Sequence, residues 1–307
     1  MTRPTPPLVI FHGGCTDGAC AAAVVLCAHP TAELHPAGYD DGTAPDVRGR
    51  HVFIVDFSYP RAILVEMERQ AESLLVLDHH RSARDQLAGL PFARFDMDRS
   101  GAGMTWDHFF PGEPMPWIVR YVQDTDLWRF EEPFCKEVRG YLKTLPTDPD
   151  GIRDVWMATE HWAVAHGDLP GAVVEAGRAV HQFQQRYVER VAEGAQRATI
   201  AGVPGPVVNA PYPMVSDLLH SLDHGECFAA AWYETENGDV RYSLRSAPDG
   251  VDVSAIAVAF GGGGHKHAAG FTVPRPVHAT GFSVVAQLRG WWYRTKIRVR
   301  RWLDSAQ

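Results

Sequence analysis

The sequence predicts an α/β fold, with a doubly wound parallel sheet followed by a smaller C-terminal α/β domain. Three short runs at residues 8–11, 52–57 and 74–77, apolar except for Asp56, are typical of strands buried in a parallel sheet. An alanine-rich helix is predicted over residues 18–29, and a second begins near Pro60 with Ser58 as its expected cap. Strands that alternate with helices in this way indicate a doubly wound sheet.

The remaining segments predict a division into three parts. Helices are expected over residues 100–110 and 116–124, and a long periodic pattern over residues 171–200 predicts a connecting helix. Strands follow at residues 206–209, 227–233 and 240–245, the last two joined through Asn237-Gly238, and a helix is expected over residues 254–260. We therefore expect a first domain over residues 1–150, a helical connector over 151–200 and a second domain over 201–307.

Composition excludes several classes of protein. Of the 307 residues, 45% are hydrophobic and 21% are charged, as in ordinary globular proteins, and the net charge of −8 does not indicate a general nucleic-acid binder. The five cysteines form no CxxC pair, which argues against a disulfide framework or a zinc ribbon and favours the cytoplasm. The first residues do not resemble a signal peptide, and no apolar run approaches the roughly 20 residues of a membrane-spanning helix.

Polar side chains capable of binding metal follow each of the three predicted strands. His12, Asp56 and Asp78 stand at the carboxyl ends of these strands, where open α/β sheets bind their ligands. Asp17, Asp56 and Asp124 offer hard oxygen ligands, whereas His12 and His79 are borderline ligands. A single aspartate of this kind is more often a helix cap or a turn residue. Three such strand ends together predict a metal site, with Asp56 able to bridge two ions.

The short motif Asp78-His79-His80 extends this interpretation. Its position directly after an apolar strand distinguishes it from a surface loop that happens to contain histidines. If His79 binds metal, Asp78 is suited to orient a neighbouring imidazole, and His80 is then available to the phosphate of a substrate.

A glycine run near the C-terminus predicts an anion site. Residues Gly261, Gly262, Gly263 and Gly264 offer backbone N–H groups that an anion can approach closely, and His265 adds a further donor. The alternative is a flexible turn. Arg245-Ser246, at the end of a predicted strand, offers a second contact for phosphate, against the alternative of a merely exposed arginine.

The basic segment at residues 291–303 admits two interpretations. Its interleaved aromatic and basic side chains suit single-stranded nucleic acid, but the pattern fits neither helical nor strand periodicity. We favour an amphipathic terminal segment with a solvated basic face.

Taken together, these motifs resemble those of the DHH/DHHA1 phosphoesterase superfamily over residues 8–272. This superfamily includes oligoribonucleases, RecJ-type exonucleases, cyclic-dinucleotide phosphodiesterases and short-chain polyphosphatases. Residues 95–102 and 121–128 are similar to a bacterial and phage branch. The resemblance implies metal ligation by His12, Asp17, Asp56, His79 and Asp124. It also implies phosphate binding by His80, Arg245, Ser246, Gly262, Gly263, Gly264 and His265.

One position departs from the pattern of the superfamily. The usual first motif carries a further aspartate, and Cys15 stands in its place. Cys15 can bind metal as a thiolate and select a softer ion, or it can simply fill a tight turn.

The resemblance implies a metal-dependent phosphodiesterase or exonuclease that hydrolyses short oligonucleotides or small nucleotides through a metal-bound hydroxide. Asp56, Asp78, His79 and His80 would be its catalytic residues. Two divalent ions are expected, Mn²⁺ first, with Mg²⁺, Co²⁺, Fe²⁺ or Zn²⁺ as alternatives. We expect the site in a cleft between the domains of a cytoplasmic protein without membrane partners, with a homodimer as one arrangement. The alternative functions are a polyphosphatase or nucleotide phosphatase, and a nucleotide-binding protein in which Cys15 has impaired catalysis.

Overall fold

The computed structural model describes residues 5–38, 43–145, 147–166, 169 and 171–274. The chain divides into two compact units, Met1–Phe183 and Gln184–Gln307. Each unit has its own sheet, and the predicted α/β fold class with a parallel sheet in the first unit is confirmed. The basic segment at residues 291–303 lies outside the described residues.

The first unit contains a parallel sheet of five strands in the order β2-β1-β3-β4-β5. The strands and the helices between them follow one another along the chain as β1 Leu8–His12, α1 Thr16–Ala28, β2 Glu33–Ala37, β3 His51–Val55, α2 Arg61–Gln70, β4 Ser73–Asp78, α3 Arg81–Leu87 and β5 Ala93–Phe95. The helices that follow are α4 Gly101–Phe109, α5 Trp117–Asp126, α6 Cys135–Leu142, α7 Pro149–His166 and α8 Gly171–Ala192, and the last of these continues past Phe183 into the second unit.

Helices cover both faces of this sheet, which is why its central strands are uniformly apolar. On one face α1 packs against α4, α5 and α7, and its small side chains Ala21, Ala22 and Ala23 are fully buried and allow close packing. A separate apolar cluster on the other face includes Leu64 of α2 and Leu87 of α3. The sheet is therefore doubly wound, as the sequence predicts.

The second unit contains a six-stranded sheet of mixed direction. Its elements are β6 Gln196–Ile200, β7 Val203–Asn209, α9 Val215–Leu222, β8 Ala229–Glu234, β9 Val240–Arg245, α10 Val253–Ala259, β10 Gly263–His265 and β11 Ala268–Val273. The strand order is β10-β11-β9-β8-β7-β6, and only the β7–β8 pair is parallel. The predicted turn at Asn237-Gly238 joins β8 to β9, with Gly238 in the left-handed region.

Three expectations differ from the structure. The connecting helix α8 ends at Ala192, and residues 196–200 form β6 instead of continuing it. The expected connector does not stand apart, because Trp156 of α7 and Val173 of α8 belong to the core around α1. Ser58 does not cap α2, since Pro60 occupies the cap position and the Ser58 hydroxyl donates to Asp78. Among the described helices, none is long and apolar enough to cross a membrane.

Candidate metal centre

Three neighbouring strands bring the predicted residues together at one edge of the first sheet. β1, β3 and β4 are adjacent and parallel, so that His12, Asp56 and His79 emerge at their carboxyl ends. Asp56 itself has a φ of 55°, a left-handed conformation that aspartate tolerates better than most residues. Its amide donates to Leu77 O at 2.9 Å, which fixes the turn after β3.

The carboxylate of Asp56 lies between two histidines. Its Oδ1 is 3.1 Å from Nε2 of His79, and its Oδ2 is 3.5 Å from Nδ1 of His12. The side chain is only 1% exposed. Oδ2 accepts no hydrogen bond from any group that the structure describes. A buried carboxylate oxygen without a donor is costly unless a cation or water satisfies it.

Asp17 approaches the same point from the first turn of α1. Its Oδ2 lies 3.7 Å from His79 Nε2 and accepts the amide of Gly101 at 2.6 Å, while its Oδ1 accepts the amide of Ala102 at 3.0 Å. These two amides begin α4, so the partial positive charge of the helix N-terminus stabilises the buried carboxylate. Asp17 is thereby held rigidly beside His79.

Two glycines make this convergence sterically feasible. A Cβ atom at Gly18 would lie 2.4 Å from the carbonyl oxygen of His12, and a Cβ atom at Gly101 would lie 2.4 Å from Cβ of Asp56. Real Cβ atoms are not found so close to other heavy atoms. The site therefore depends on glycine at both positions.

The structure places Asp126, and not Asp124, at this cluster. Asp126 Oδ2 is 3.5 Å from Nε2 of His79. Asp124 instead accepts the amides of Glu131 and Glu132 at 3.0 and 3.1 Å and the thiol of Cys135 at 2.8 Å. Its oxygens organise the loop after α5, and the metal-binding role of Asp124 stays a prediction.

Within the described residues of the first unit, the side chains capable of binding metal form two groups of three. One group is Asp17, His79 and Asp126, and the other is His12, Asp56 and His80. Within each group, one ligand atom from every side chain lies within 4.8 Å of the others. Asp56 also contacts His79, so it connects the two groups. Neither group includes Cys15, which stands at the N-cap of α1 without a side-chain capping bond.

Electrostatics show that this edge of the sheet favours positive charge. Burial and repulsion from Asp56 and Asp126 raise the pKa of Asp17 well above its usual range. Burial opposes the charged form of His79, but Asp56, Asp126 and Asp17 outweigh it and raise its pKa to about 10. Burial likewise opposes ionisation of Asp56, yet His12 and His79 lower its pKa. The protonated imidazole of His79 thus offsets the carboxylates in the metal-free protein.

The residue types and their placement fit divalent cations. Three carboxylates and three imidazoles converge, and the repulsion among the carboxylates is relieved by any cation that enters. Oxygen and imidazole ligands suit Mn²⁺, Fe²⁺, Co²⁺ and Zn²⁺, and the more carboxylate-rich group also suits Mg²⁺. The unsatisfied Oδ2 of Asp56 supplies a specific place for such an ion.

The second unit holds the predicted phosphate residues in regular structure. The amides of Gly261 and Gly262 donate to Val258 O and Ala257 O at the end of α10, so the Gly262 amide is not available to an anion. Gly263 and Gly264 belong to β10, which pairs with β11 at one edge of the described sheet. A Cβ atom at Gly264 would lie 2.5 Å from the carbonyl oxygen of Ala268. Close packing on β11 therefore explains part of the glycine run.

Arg245 and Ser246 end β9 in the same unit. Arg245 Nη2 donates to Ser216 Oγ at 3.0 Å. Ser246 is buried, its hydroxyl donates to Val251 O at 2.8 Å, and it lies 3.0 Å from Nδ1 of His267. These bonds fix the strand end, and the phosphate-binding role of Arg245, Ser246 and His265 stays a prediction.

The chain is similar to known proteins in two ways, through a family model that matches its C-terminal part and through one relative that matches most of its length. A model of the DHHA1 domain matches residues 213–283. The Uncharacterized protein R106 of Acanthamoeba polyphaga mimivirus is 26% identical over 293 residues, which cover 86% of this chain and 66% of that protein. The chain therefore spans slightly less than two thirds of that relative.

Two solved structures share a low similarity with the chain. A pGpG-specific phosphodiesterase, PggH from Vibrio cholerae, has a TM-score of 0.49 at 12% identity and covers 97% of this chain and 99% of its own. An exopolyphosphatase-related protein from Bacteroides fragilis has a TM-score of 0.47 at 12% identity. The match covers 98% of this chain and 94% of that protein's chain. Because both TM-scores lie below 0.5, neither similarity bears on function. The match to the DHHA1 domain confirms the predicted resemblance for residues 213–283.

Proposed function

We propose that the protein is a metal-dependent phosphoesterase that hydrolyses short oligonucleotides or small nucleotides with two divalent ions. The observation that carries this proposal is the position of Asp56. Its buried carboxylate faces His79 with one oxygen and His12 with the other, and the second oxygen lacks a hydrogen-bond donor among the described groups. A carboxylate so placed is suited to bridge two ions.

The ligand set follows from the two groups of side chains. Asp17, His79 and Asp126 would hold one ion together with Asp56, and His12 and Asp56 would take part in holding the other. Divalent ions held by these residues would supply activation of water and neutralisation of charge on the phosphoryl oxygens. The protein supplies the fixed geometry, because α4 holds Asp17 and the strand ends hold Asp56 and His79.

The second unit is proposed to bind the phosphate of the substrate. Arg245 is a planar donor suited to phosphate oxygens, and His265 follows the glycines of β10. The DHHA1 assignment supports a role of this unit in substrate binding. A homodimer and a cytoplasmic location also stay predictions.

A panel of substrates and metals tests this proposal. The full-length protein would be stripped of metal, reloaded separately with Mn²⁺, Mg²⁺, Co²⁺ or Zn²⁺, and incubated with a 5′-phosphorylated dinucleotide, a ten-nucleotide single strand and tripolyphosphate. We expect metal-dependent release of mononucleotides from the nucleotide substrates. Hydrolysis confined to tripolyphosphate would replace the proposal by a polyphosphatase. A folded protein that binds nucleotide without any turnover would favour the non-catalytic alternative.

A further inference from the structure

The motif that ends β4 contains a histidine whose proton position is fixed by a buried carboxylate. Asp78 is fully buried, and its Oδ1 lies 2.7 Å from Nδ1 of His80. The same oxygen accepts the amides of His79 and His80 at 2.7 and 3.1 Å, while Oδ2 accepts the hydroxyl of Ser58 at 2.5 Å. The Asp78 carboxylate accepts each of these hydrogen bonds. The Nδ1 atom of His80 is therefore the donor and carries a proton.

This hydrogen bond leaves Nε2 as the atom through which the neutral His80 ring can act as a ligand. A histidine that donates Nδ1–H to a carboxylate while its other nitrogen binds metal is a recurrent arrangement in metal sites. The carboxylate fixes the orientation of the ring and makes the ligand nitrogen more basic. In this chain Asp78 and His80, two positions apart, provide the carboxylate and the imidazole.

The surroundings of His80 supply the rest of a site. Its ring lies 5.8 Å from that of His12, centroid to centroid, and the two rings are nearly perpendicular. One ligand atom of each of His12, Asp56 and His80 lies within 4.8 Å of the others. The Oδ2 of Asp56, which belongs to this group, is buried and accepts no hydrogen bond from the described residues. A cation held by the three side chains would satisfy that oxygen.

We propose that His80 is the third protein ligand of the second metal ion, with His12 and Asp56, and that it does not serve as a contact for the substrate phosphate. The inference rests on the proposed two-metal function and specifies how the second ion is held. Cys15 stands where the pattern of the superfamily has a further aspartate. His80, which follows β4, would supply the ligand that this aspartate otherwise provides.

The two sites are then chemically unequal. The first offers oxygens from Asp17, Asp126 and Asp56 and one nitrogen from His79, whereas the second offers two imidazoles and the shared carboxylate. Mg²⁺ favours oxygen ligands, and imidazole favours Mn²⁺, Co²⁺ and Zn²⁺. The second site therefore discriminates against Mg²⁺, and the first does not.

The test is the number of Mn²⁺ ions bound by His80→Asn, which requires no turnover. The asparagine amide retains a donor near the position of Nδ1 for Asp78 and removes the atom at Nε2. The matched control is His51→Ala, which alters an exposed histidine at the opposite end of β3. Metal-free proteins would be titrated with Mn²⁺, with the free ion measured by electron paramagnetic resonance and folding checked by circular dichroism.

We expect two Mn²⁺ ions per chain for the parent and for His51→Ala, and one per chain for folded His80→Asn. Two ions bound by His80→Asn with parental affinity would overturn the role of His80 while leaving the two-metal function intact. A folded parent protein that binds no Mn²⁺ would instead contradict the proposed function itself. If His80→Asn does not fold, His80→Ala serves in its place and is judged by the same count.

Discussion

The carboxylate of Asp17 accepts the amide of Gly101 at 2.6 Å, across 84 positions of the chain. This bond joins the first turn of α1 to the first turn of α4 at the carboxyl edge of the sheet. The same glycine lies against Asp56, so the position has no room for a side chain. One residue thus places two of the carboxylates of the metal centre.

Gly101→Ala is expected to lower metal binding sharply, because its methyl group would overlap the Cβ of Asp56. Strain of this kind typically costs about 1–3 kcal/mol of stability. Mn²⁺ titration and thermal unfolding would measure both effects. Gly171→Ala is the matched control, since a Cβ atom there meets no heavy atom within 4 Å, and it should be neutral. Parental Mn²⁺ content in Gly101→Ala would contradict the close packing described.

Replacement by asparagine is expected to affect stability at Asp124 and metal binding at Asp126. Asp124→Asn should lower stability by about 1–3 kcal/mol, because an amide cannot accept all three of the donors that Asp124 satisfies. Asp126→Asn should leave stability nearly unchanged and weaken metal binding. Denaturant unfolding and Mn²⁺ titration of both variants separate the two roles. Loss of metal in a fully stable Asp124→Asn would restore the sequence-based assignment.

Sequence alone could not distinguish these two aspartates. They stand two positions apart at the end of α5, where successive side chains point to different sides of the helix, and both precede a polar loop. The contacts of Asp124 with Glu131, Glu132 and Cys135 depend on how that loop folds back. That loop holds three non-glycine residues with positive φ, Trp128, Phe130 and Phe134, which no local pattern indicates.

The central strands were predictable because burial on both sides demands an uninterrupted apolar run. β2 and β5 lie at the two edges of the same sheet, where Pro36 and Arg94 interrupt the pattern, and neither strand was expected. The fold class predicted that His12, Asp56 and Asp78 stand at the central strand ends, and the motif after β4 added His79 as a candidate ligand. His80 lies beside them in the motif, but only the hydrogen bond to Asp78 indicates which of its nitrogens can bind metal.

Metal identity should alter the stoichiometry of binding in a defined way. Mg²⁺ is expected to fill the site of Asp17, His79 and Asp126 and to leave the site containing two imidazoles largely vacant. Isothermal titration of the metal-free protein should therefore give one Mg²⁺ and two Mn²⁺ per chain. Two Mg²⁺ ions bound with equal affinity would contradict the unequal ligand sets.

Cys15→Ser is expected to leave both the Mn²⁺ count and the rate of hydrolysis nearly unchanged. Cys15 belongs to neither group of ligands, and its carbonyl group starts α1 by accepting the amide of Ala19 at 3.0 Å. Mn²⁺ titration and turnover of a dinucleotide would check this. Loss of one ion in the serine variant would show that the thiol is a ligand after all.

The Mn²⁺ content and the turnover of Asp56→Asn show whether Asp56 connects two bound ions. Replacing the shared carboxylate removes negative charge from both ion positions while keeping the size of the side chain. We expect a folded variant that binds fewer than two Mn²⁺ ions. Its rate on a 5′-phosphorylated dinucleotide should fall at least a hundredfold, which corresponds to about 2.7 kcal/mol of activation free energy. Two bound ions and a near-parental rate would contradict this role of Asp56.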